Sequence, residues 1–347
     1  MALAAPALQR RPRRIAASWR SPARLKRFPG RRHCGVRCRG HSGNGFEIHT
    51  MTHQSLARLI LLSAIWGASF FFMRIGAPVL GPVLLSFARV GLAALFLLLV
   101  AACLGSALAM RRDWRHFLLL GLINSALPFL LIAYAATSVP ASLLSILNAT
   151  APIWAAVIGA VWTRSRIAPT AMAGLILGVA GVALLAGVES LRLPETGGMA
   201  MAAALGAACC YGMATLYAKS ARTVEPFANA HGSMWAATLW LLPLALTAPL
   251  PAADPAPHVL ASVAALGIVC SGIAYLLYFR LVADIGPAAA LTVTYLIPLF
   301  GILWGVLFLG EPVGWHVLVG GIAVLAGTAL VTDFSPRNLL RRVQRTP

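Results

Sequence analysis

Apolar residues in this chain are gathered into long runs, and the short segments between the runs hold most of the charged residues. A run of about 20 apolar residues lets one α-helix cross the roughly 30 Å hydrocarbon layer of a bilayer. Ten runs meet this requirement, so the pattern predicts an all-α integral membrane protein with ten transmembrane helices. The predicted spans are 57–77, 82–104, 117–136, 141–162, 169–188, 199–218, 227–250, 258–279, 287–309 and 315–332.

The same order of features occurs twice, in residues 57–187 and again in residues 202–333, with five apolar runs in each copy. Matching residues lie 144 to 146 positions apart, and we call such a pair mates. The mates include Gly67 and Gly212, Arg74 and Lys219, Pro152 and Pro298, Gly174 and Gly320, and Gly181 and Gly327. Two copies of a unit with an odd number of crossings must face opposite ways, which is typical of secondary transporters. The sequence therefore predicts two inverted five-helix repeats, at 57–188 and 199–333.

The composition agrees with a membrane protein, because 59% of the residues are hydrophobic and 11% are charged, whereas a soluble domain carries about 25% charged residues. The net charge of +19 suggests nucleic acid at first sight, but 12 of the 28 basic residues lie within residues 1–50. The basic residues form no stripe interleaved with aromatic residues, so no nucleic-acid partner is expected. The expected partners are the lipid bilayer and a small-molecule substrate.

Residues 1–50 are rich in Arg, Pro, Gly and Ala and contain no apolar run, so we expect a disordered basic tail. Met51 opens a stretch that looks like the normal start of an inner-membrane protein, and residues 1–50 are therefore interpreted as a start-site artefact. Residues 334–347 are expected to form a second basic tail, on the cytoplasmic side.

The distribution of basic residues predicts the orientation, because cytoplasmic loops of membrane proteins carry an excess of Lys and Arg. With the N-terminus in the cytoplasm, 13 of the 16 basic residues after residue 50 lie in cytoplasmic segments. Both termini are therefore predicted to be cytoplasmic, and the protein is predicted to lie in the inner or plasma membrane as a multi-pass protein.

Several motifs resemble those of the EamA-type transporters, a ten-span family of the drug/metabolite transporter superfamily. The first copy opens with IWGASFFFMRIGAPVLGPVLLSFARVGLAALFLL. That family favours a Trp-Gly pair and a basic residue in span 1 and an arginine in span 2, which here are Trp66, Gly67, Arg74 and Arg89. In the second copy, the similar features are an aromatic-rich span 8, Pro298 inside span 9, and the Gly-Glu-Pro sequence at 310–312.

The resemblance implies a permease that moves small organic metabolites by alternating access, with efflux as the expected direction. It also implies that spans 1–4 rock against spans 6–9, with spans 5 and 10 as flanking supports. One position departs from the family pattern, since Ser165 stands where the first copy would carry the acid that Glu311 provides in the second. We expect Glu311 to stabilise the start of span 10, near its N-terminus.

Arg89 is the sharpest candidate for substrate binding, because it lies about a third of the way into span 2. A charge at such a depth is costly and normally faces protein or water rather than lipid. Two interpretations stay open: an anchor or gate for a carboxylate or another anionic group, and a structural arginine that bonds neighbouring helices or extends towards the interface. Its mate is Ser233, so the second copy has no matching charge.

Seven further residues complete the predicted substrate site, and all are polar or aromatic side chains within predicted spans. They are Trp66, Ser125, Tyr134, Asn148, Tyr275, Thr294 and Tyr295. Buried polar groups in hydrocarbon need partners, so they serve either as contacts between helices or as cavity lining. The aromatic residues suit an amphipathic organic solute. Amino acids, related carboxylates and drugs are the expected substrate classes.

The sequence argues against an enzyme, because it shows no paired intramembrane carboxylates, no histidine-rich metal set and no Ser/His/Asp constellation. No cofactor or metal is expected. A membrane-embedded enzyme, a channel and a non-transporting membrane scaffold remain as alternatives, and a homodimer stays open. No Asp or Glu lies at mid-membrane, so we expect transport to persist without a pH gradient. His231, in span 7, is interpreted as structural, with titration as its alternative role.

Overall fold

The computed structural model describes residues 52–104, 112–189, 196–221, 224–286, 290 and 292–332. All regular secondary structure within these residues is helical. The predicted all-α membrane class is therefore confirmed. The two predicted basic tails lie outside the described residues.

The helices follow the predicted apolar runs. In chain order they are α1 (His53–Leu104), α2 (Trp114–Gly121), α3 (Leu127–Ala135), α4 (Ala141–Asn148), α5 (Ala151–Thr163), α6 (Pro169–Glu189), α7 (Gly197–Ser220), α8 (Pro226–Thr247), α9 (Pro257–Ala264), α10 (Ala274–Ile285), α11 (Val293–Leu309) and α12 (Trp315–Val331). By length and composition, six stretches within the described residues can span a membrane: α1, α2 through α3, α4 through α5, α6, α7, and α9 through α10. The number of ten crossings stays a prediction.

Helix α1 is divided by Gly81, whose φ of 75° lies in the region that favours glycine. The division gives a first arm, residues 53–80, and a second arm, residues 82–104. These arms correspond to predicted spans 1 and 2, and the break between them lets one continuous helical segment change direction.

Two stretches are π-helical, Leu122–Ala126 between α2 and α3, and Ala265–Ile273 between α9 and α10. The mates of residues 122–126 are residues 268–272, so both copies widen the helix at the same place. π-Helical turns are rare and are frequent at functional sites, which makes these two stretches the first structural pointer to the site.

Glycines bring helices from different copies into close contact, as small residues do in membrane proteins. A Cβ at Gly67, on the first arm of α1, would lie 2.6 Å from Phe300 Cβ on α11. A Cβ at its mate Gly212, on α7, would lie 2.9 Å from Trp154 Cβ on α5. Phe300 and Trp154 are themselves mates, so the two contacts are equivalent and the internal repeat extends to the packing.

Helices α6 and α12 pack on each other with the same symmetry. A Cβ at Gly174 would lie 2.5 Å from the carbonyl oxygen of Gly327, and one at Gly181 would lie 2.8 Å from that of Gly320. Gly174 is the mate of Gly320, and Gly181 is the mate of Gly327, so the internal repeat makes these two contacts equivalent. The glycine-rich faces of α6 and α12 therefore serve packing within one chain.

The buried apolar core is also shared between the copies. One cluster joins the second arm of α1, helix α3 and helix α8, and its members include Val90, Ala93, Leu97, Phe129, Met234 and Leu241. The two copies are thus interleaved, because each buries apolar surface against helices of the other.

Candidate functional site

Arg89 lies on the second arm of α1, with 5% of its surface exposed. Its Nε donates a hydrogen bond to Ser271 Oγ at 3.0 Å, and an Nη donates to Met73 Sδ at 3.4 Å. The guanidinium carbon lies 3.7 Å from the centre of the Phe129 ring, within the range of a cation–π interaction. These contacts hold the charge between both arms of α1, helix α3 and the π-helical stretch before α10.

Aromatic rings and an amide form the walls around this charge. The phenol groups of Tyr211 and Tyr275 lie close to the guanidinium. Trp66 meets Tyr275 edge to face, with ring centroids 6.5 Å apart. Asn124 donates a hydrogen bond to the Tyr275 hydroxyl at 3.3 Å. The predicted residues Arg89, Trp66 and Tyr275 are thus brought together with Tyr211 and Asn124.

Ser125 follows Asn124 in the π-helical stretch before α3; its Oγ is fully buried and lies near the Tyr275 hydroxyl, but it makes no hydrogen bond of normal geometry. Its mate Ser271 holds Arg89 and also donates to the carbonyl oxygen of Leu266 at 2.9 Å. A buried hydroxyl without a partner costs free energy. A polar group of a bound ligand would remove that cost.

The internal repeat pairs the residues of this site with one another. The pairs of mates are Trp66 and Tyr211, Asn124 and Cys270, Ser125 and Ser271, and Phe129 and Tyr275. Positions 89 and 233 are equivalent in the packing as well, as two glycine contacts demonstrate. A Cβ at Gly267 would lie 3.0 Å from the Arg89 carbonyl oxygen, and one at its mate Gly121 would lie 2.7 Å from the Ser233 carbonyl oxygen. The site is therefore symmetric in position, while the cation is supplied by one copy only.

Arg89 has no carboxylate partner among the described residues. Both ion pairs found there are made by Asp284, with Arg58 and with Arg280. The hydroxyl and thioether that bond Arg89 carry no net charge, so no negative charge in the described part of the chain compensates the guanidinium. Burying an uncompensated charge costs several kcal/mol, and an anionic group beside Arg89 would offset this cost.

The other four predicted site residues are distributed along α3, α4 and α11. Tyr134 packs against an apolar core cluster, and Asn148 ends α4 with its Oδ1 buried and unpartnered. Thr294 lies in the first turn of α11. The hydroxyl of Tyr295 is hydrogen-bonded to Thr332, just beyond the end of α12. Their part in substrate binding stays a prediction.

The residues of the site that were not among the predicted ones include Phe129, Tyr211 and Ser271. A signal for them exists in the sequence, because they are the mates of Tyr275, Trp66 and Ser125. A rule that adds the mate of every candidate would have found all three.

His231 is buried in α8, where its Nε2 accepts a hydrogen bond from Trp235 Nε1 at 3.1 Å. Its ring stacks on Phe227, with centroids 6.4 Å apart. These contacts fit the structural role predicted for this histidine.

The prediction for Glu311 is wrong about the helix that it stabilises. Its carboxylate accepts hydrogen bonds from the backbone N–H of Ala141 at 2.7 Å and of Ser142 at 3.0 Å, and from the Ser142 hydroxyl at 2.8 Å. Glu311 therefore caps α4 of the other copy, whereas α12 begins after Gly314 without a side-chain cap. Nearness along the chain suggested α12, and only the packing of the copies brings α4 within reach.

Arg74 binds the other end of the short connection between α3 and α4. Its Nη1 donates to the carbonyl oxygens of Ala136 at 2.9 Å and Thr137 at 2.8 Å, at the C-terminus of α3. An open cleft of about 610 Å³ lies at this end of the helices, and its lining includes Arg74, Pro140, His258 and Glu311. The charged residues of the cleft are thus already engaged with helix ends.

Comparison with known proteins identifies the family. The model of the EamA-like transporter family matches the chain twice, at residues 55–187 and 198–333. The chain belongs to the EamA-like transporter family. This EamA-like protein is therefore a multi-pass membrane transporter and not an enzyme.

Similar proteins cover about four fifths of the transporter. A probable terminal-alkyne amino-acid exporter of Streptantibioticus cattleyicolor is 28% identical over 283 residues, covering 79% of this chain and 91% of the exporter. An uncharacterized transporter of Archaeoglobus fulgidus is 28% identical over 296 residues, covering 82% and 98%. A protein of known crystal structure shares the fold with a TM-score of 0.58 at 18% identity, covering 82% of this chain and 99% of that protein.

Proposed function

We propose that this EamA-like transporter is a secondary carrier that exports small metabolites bearing a carboxylate and an apolar or aromatic part. One observation carries the proposal: Arg89 is buried among aromatic side chains and has no carboxylate partner in the described part of the chain. Transport proceeds by alternating access, in which the site is reached from one side of the membrane at a time.

Recognition of the carboxylate follows from the chemistry of Arg89. A guanidinium presents a planar set of N–H groups that matches the two oxygens of a carboxylate. The apolar part of the substrate packs against Trp66, Tyr211 and Tyr275, and the Ser125 hydroxyl can bond a further polar group. An uncharged analogue would leave the cation unpaired, so it binds more weakly.

Two observations support the direction and the substrate class. One relative is named a probable terminal-alkyne amino-acid exporter, and an amino acid carries a carboxylate. The basic residues favour an inner- or plasma-membrane protein with both termini in the cytoplasm. An exporter in that orientation would take its substrate from the cytoplasm and release it outside.

The first experiment identifies the substrate without assuming it. The metabolites of the growth medium are compared between cells that overproduce the transporter and cells that lack it. Carboxylate-bearing compounds are expected to accumulate outside the overproducing cells. Arg89→Gln should abolish this accumulation, whereas Arg166→Gln, at an exposed position, should leave it unchanged. An export profile that Arg89→Gln does not alter would reject carboxylate binding by Arg89.

The second experiment separates a carrier from a channel. Liposomes that contain the purified transporter are loaded with the unlabelled metabolite identified in the first experiment. The labelled metabolite is then added outside. A carrier concentrates the label transiently by counterflow and shows saturation, whereas a channel shows neither. In the same assay, the methyl ester of the metabolite should compete at least about tenfold less well than the free acid, because hydrogen bonds to a charged group contribute about 1.5–3 kcal/mol.

A further inference from the structure

The turn from α3 to α4, residues 136–140, is held at both ends by charged side chains. Arg74 binds carbonyl groups at the C-terminus of α3, and Glu311 binds N–H groups at the N-terminus of α4. These groups have no partners within their own helices. Each side chain also has the charge that its helix end favours. A helix carries partial negative charge at its C-terminus, where Arg74 binds, and partial positive charge at its N-terminus, where Glu311 binds.

The bonds of Glu311 join the two copies, because Glu311 belongs to the connection between α11 and α12. This connection is shaped to present the carboxylate. Gly310 adopts a φ of 64°, and the N–H of Glu311 donates to the Gly305 carbonyl oxygen at 3.1 Å. A Cβ at Gly305 would lie 2.5 Å from Glu311 Oε2, so the absence of a side chain at Gly305 makes room for the carboxylate.

The mate of this connection also contains a residue with positive φ, but it has no acid. Arg164, the mate of Gly310, has a φ of 51°, and the N–H of Ser165 donates to the Ala160 carbonyl oxygen at 3.1 Å. The Ser165 hydroxyl is paired with Thr163 Oγ1 of its own connection, at 2.8 Å. Serine at position 165 therefore cannot form a charged link like that of Glu311.

We propose that Glu311 is the latch of a gate at this end of the transporter, which is the end predicted to face outside. When its three hydrogen bonds break, the α3–α4 turn moves away from the α11–α12 connection. The movement opens a path from the cleft to the site around Arg89. Because position 165 lacks the acid, the latch acts at one end only and biases the resting transporter towards a closed outer end.

The test uses the thiol of Cys270, which is buried next to Arg89, as a reporter of access to the site. The other five cysteines are replaced by serine, and the full-length protein is checked for monodispersity and thermal stability. A membrane-impermeant methanethiosulfonate reagent is then applied to intact cells and, separately, to inverted vesicles. The labelling rate from each side measures how often that end opens.

Glu311→Gln and Gly305→Ala are expected to raise the labelling rate from the outside roughly fivefold, the size expected for loss of one helix cap. Glu311→Gln removes the negative charge, and Gly305→Ala displaces the carboxylate without changing the charge. Ser142→Ala removes one of the three bonds, so it should give a smaller rise. Because it is the mildest change, it also keeps the test valid if another variant fails to fold.

The controls are the mates, Ser165→Ala and Gly159→Ala, and they should leave the labelling rate from the outside unchanged. An unchanged rate in folded Glu311→Gln and Ser142→Ala would overturn the latch. An equal rise in the labelling rate from both sides of the membrane would also overturn the latch, since it would indicate general loosening of the structure. The assay needs no substrate, so the latch and the proposed substrate class can fail independently.

Discussion

Arg89 combines a positive charge with nearly complete burial, and these two properties determine what surrounds it. The cost of placing a charge in hydrocarbon predicts from the sequence alone that the residue faces protein or water. The partners were not predictable in the same way. Ser271 and Phe129 are distant along the chain from Arg89, and they reach it only because α3 and the π-helical stretch before α10 pack beside α1.

Ser271 should act as a positioning residue for Arg89. We expect Ser271→Ala to raise the KM for the carboxylate substrate at least about tenfold with little change in kcat, because a hydrogen bond to a charged group contributes about 1.5–3 kcal/mol. The measurement is the initial rate of counterflow in liposomes. Ser262→Ala is the control, since Ser262 is a buried serine that bonds a carbonyl oxygen within its own stretch. Equal kinetics for both variants would contradict the role given to Ser271.

Helix contacts in this protein depend on glycines that let two backbones approach each other. The pairs Gly174–Gly327 and Gly181–Gly320 connect α6 to α12, and the sequence predicts such small residues at close approaches. The sequence does not say which helix each glycine meets. Contact within one chain and contact in a dimer have the same pattern of small residues, and the structure assigns these faces to contact within one chain.

The same substitution should have opposite effects at two glycines. Gly181→Ala is expected to destabilise the protein by about 1–3 kcal/mol, because the added Cβ would lie 2.8 Å from the Gly320 carbonyl oxygen. Gly91→Ala, in the second arm of α1, has nothing within 4 Å and should be neutral or stabilising by up to about 1 kcal/mol, because alanine favours helix.

Thermal denaturation in detergent measures this pair of variants. The apparent Tm of Gly181→Ala should fall below that of the unmodified protein, and that of Gly91→Ala should not. A fall of similar size in both variants would mean that any change in a glycine disturbs these helices, and it would remove the argument from close packing.

The two copies are interleaved in the whole molecule, which bears on how it moves. Gly67 of the first copy packs on α11, and Gly212 of the second packs on α5. A rigid movement of spans 1–4 against spans 6–9 would have to separate both contacts. Moving units that combine helices from both copies would keep them, and we expect the rocking groups to be mixed in this way.

The symmetry of the site predicts that the arginine can be moved from position 89 to its mate position 233 with part of the transport activity retained. Arg89→Ser should abolish transport, and the double variant Arg89→Ser with Ser233→Arg should recover part of it. Position 233 is equivalent to position 89, so its guanidinium would have Ser125 and Tyr275 where Arg89 has Ser271 and Phe129. Counterflow is the measurement, and the single variant Ser233→Arg is the control. No recovery in a folded double variant would show that the mates are not interchangeable.

Ion coupling is also a property of the whole molecule. The described Asp and Glu side chains lie at helix ends and in connections, so we expect transport in liposomes to persist without a pH gradient. His231→Ala should leave the dependence on pH unchanged, because its ring packs between Phe227 and Trp235. Strict dependence on an imposed proton gradient that is lost in His231→Ala would overturn this expectation.

The sequence by itself determined the membrane class, the duplication and the family resemblance, because each depends on patterns that run along the chain. Apolar run length, residue order and a constant offset need no knowledge of which helix neighbours which. The same patterns pointed to Arg89, Trp66, Ser125 and Tyr275. Only the tertiary structure decided that Glu311 caps α4 and that Arg89 bonds Ser271. Contacts of this kind join residues far apart in sequence, and they depend on how the helices of the two copies are arranged around one another.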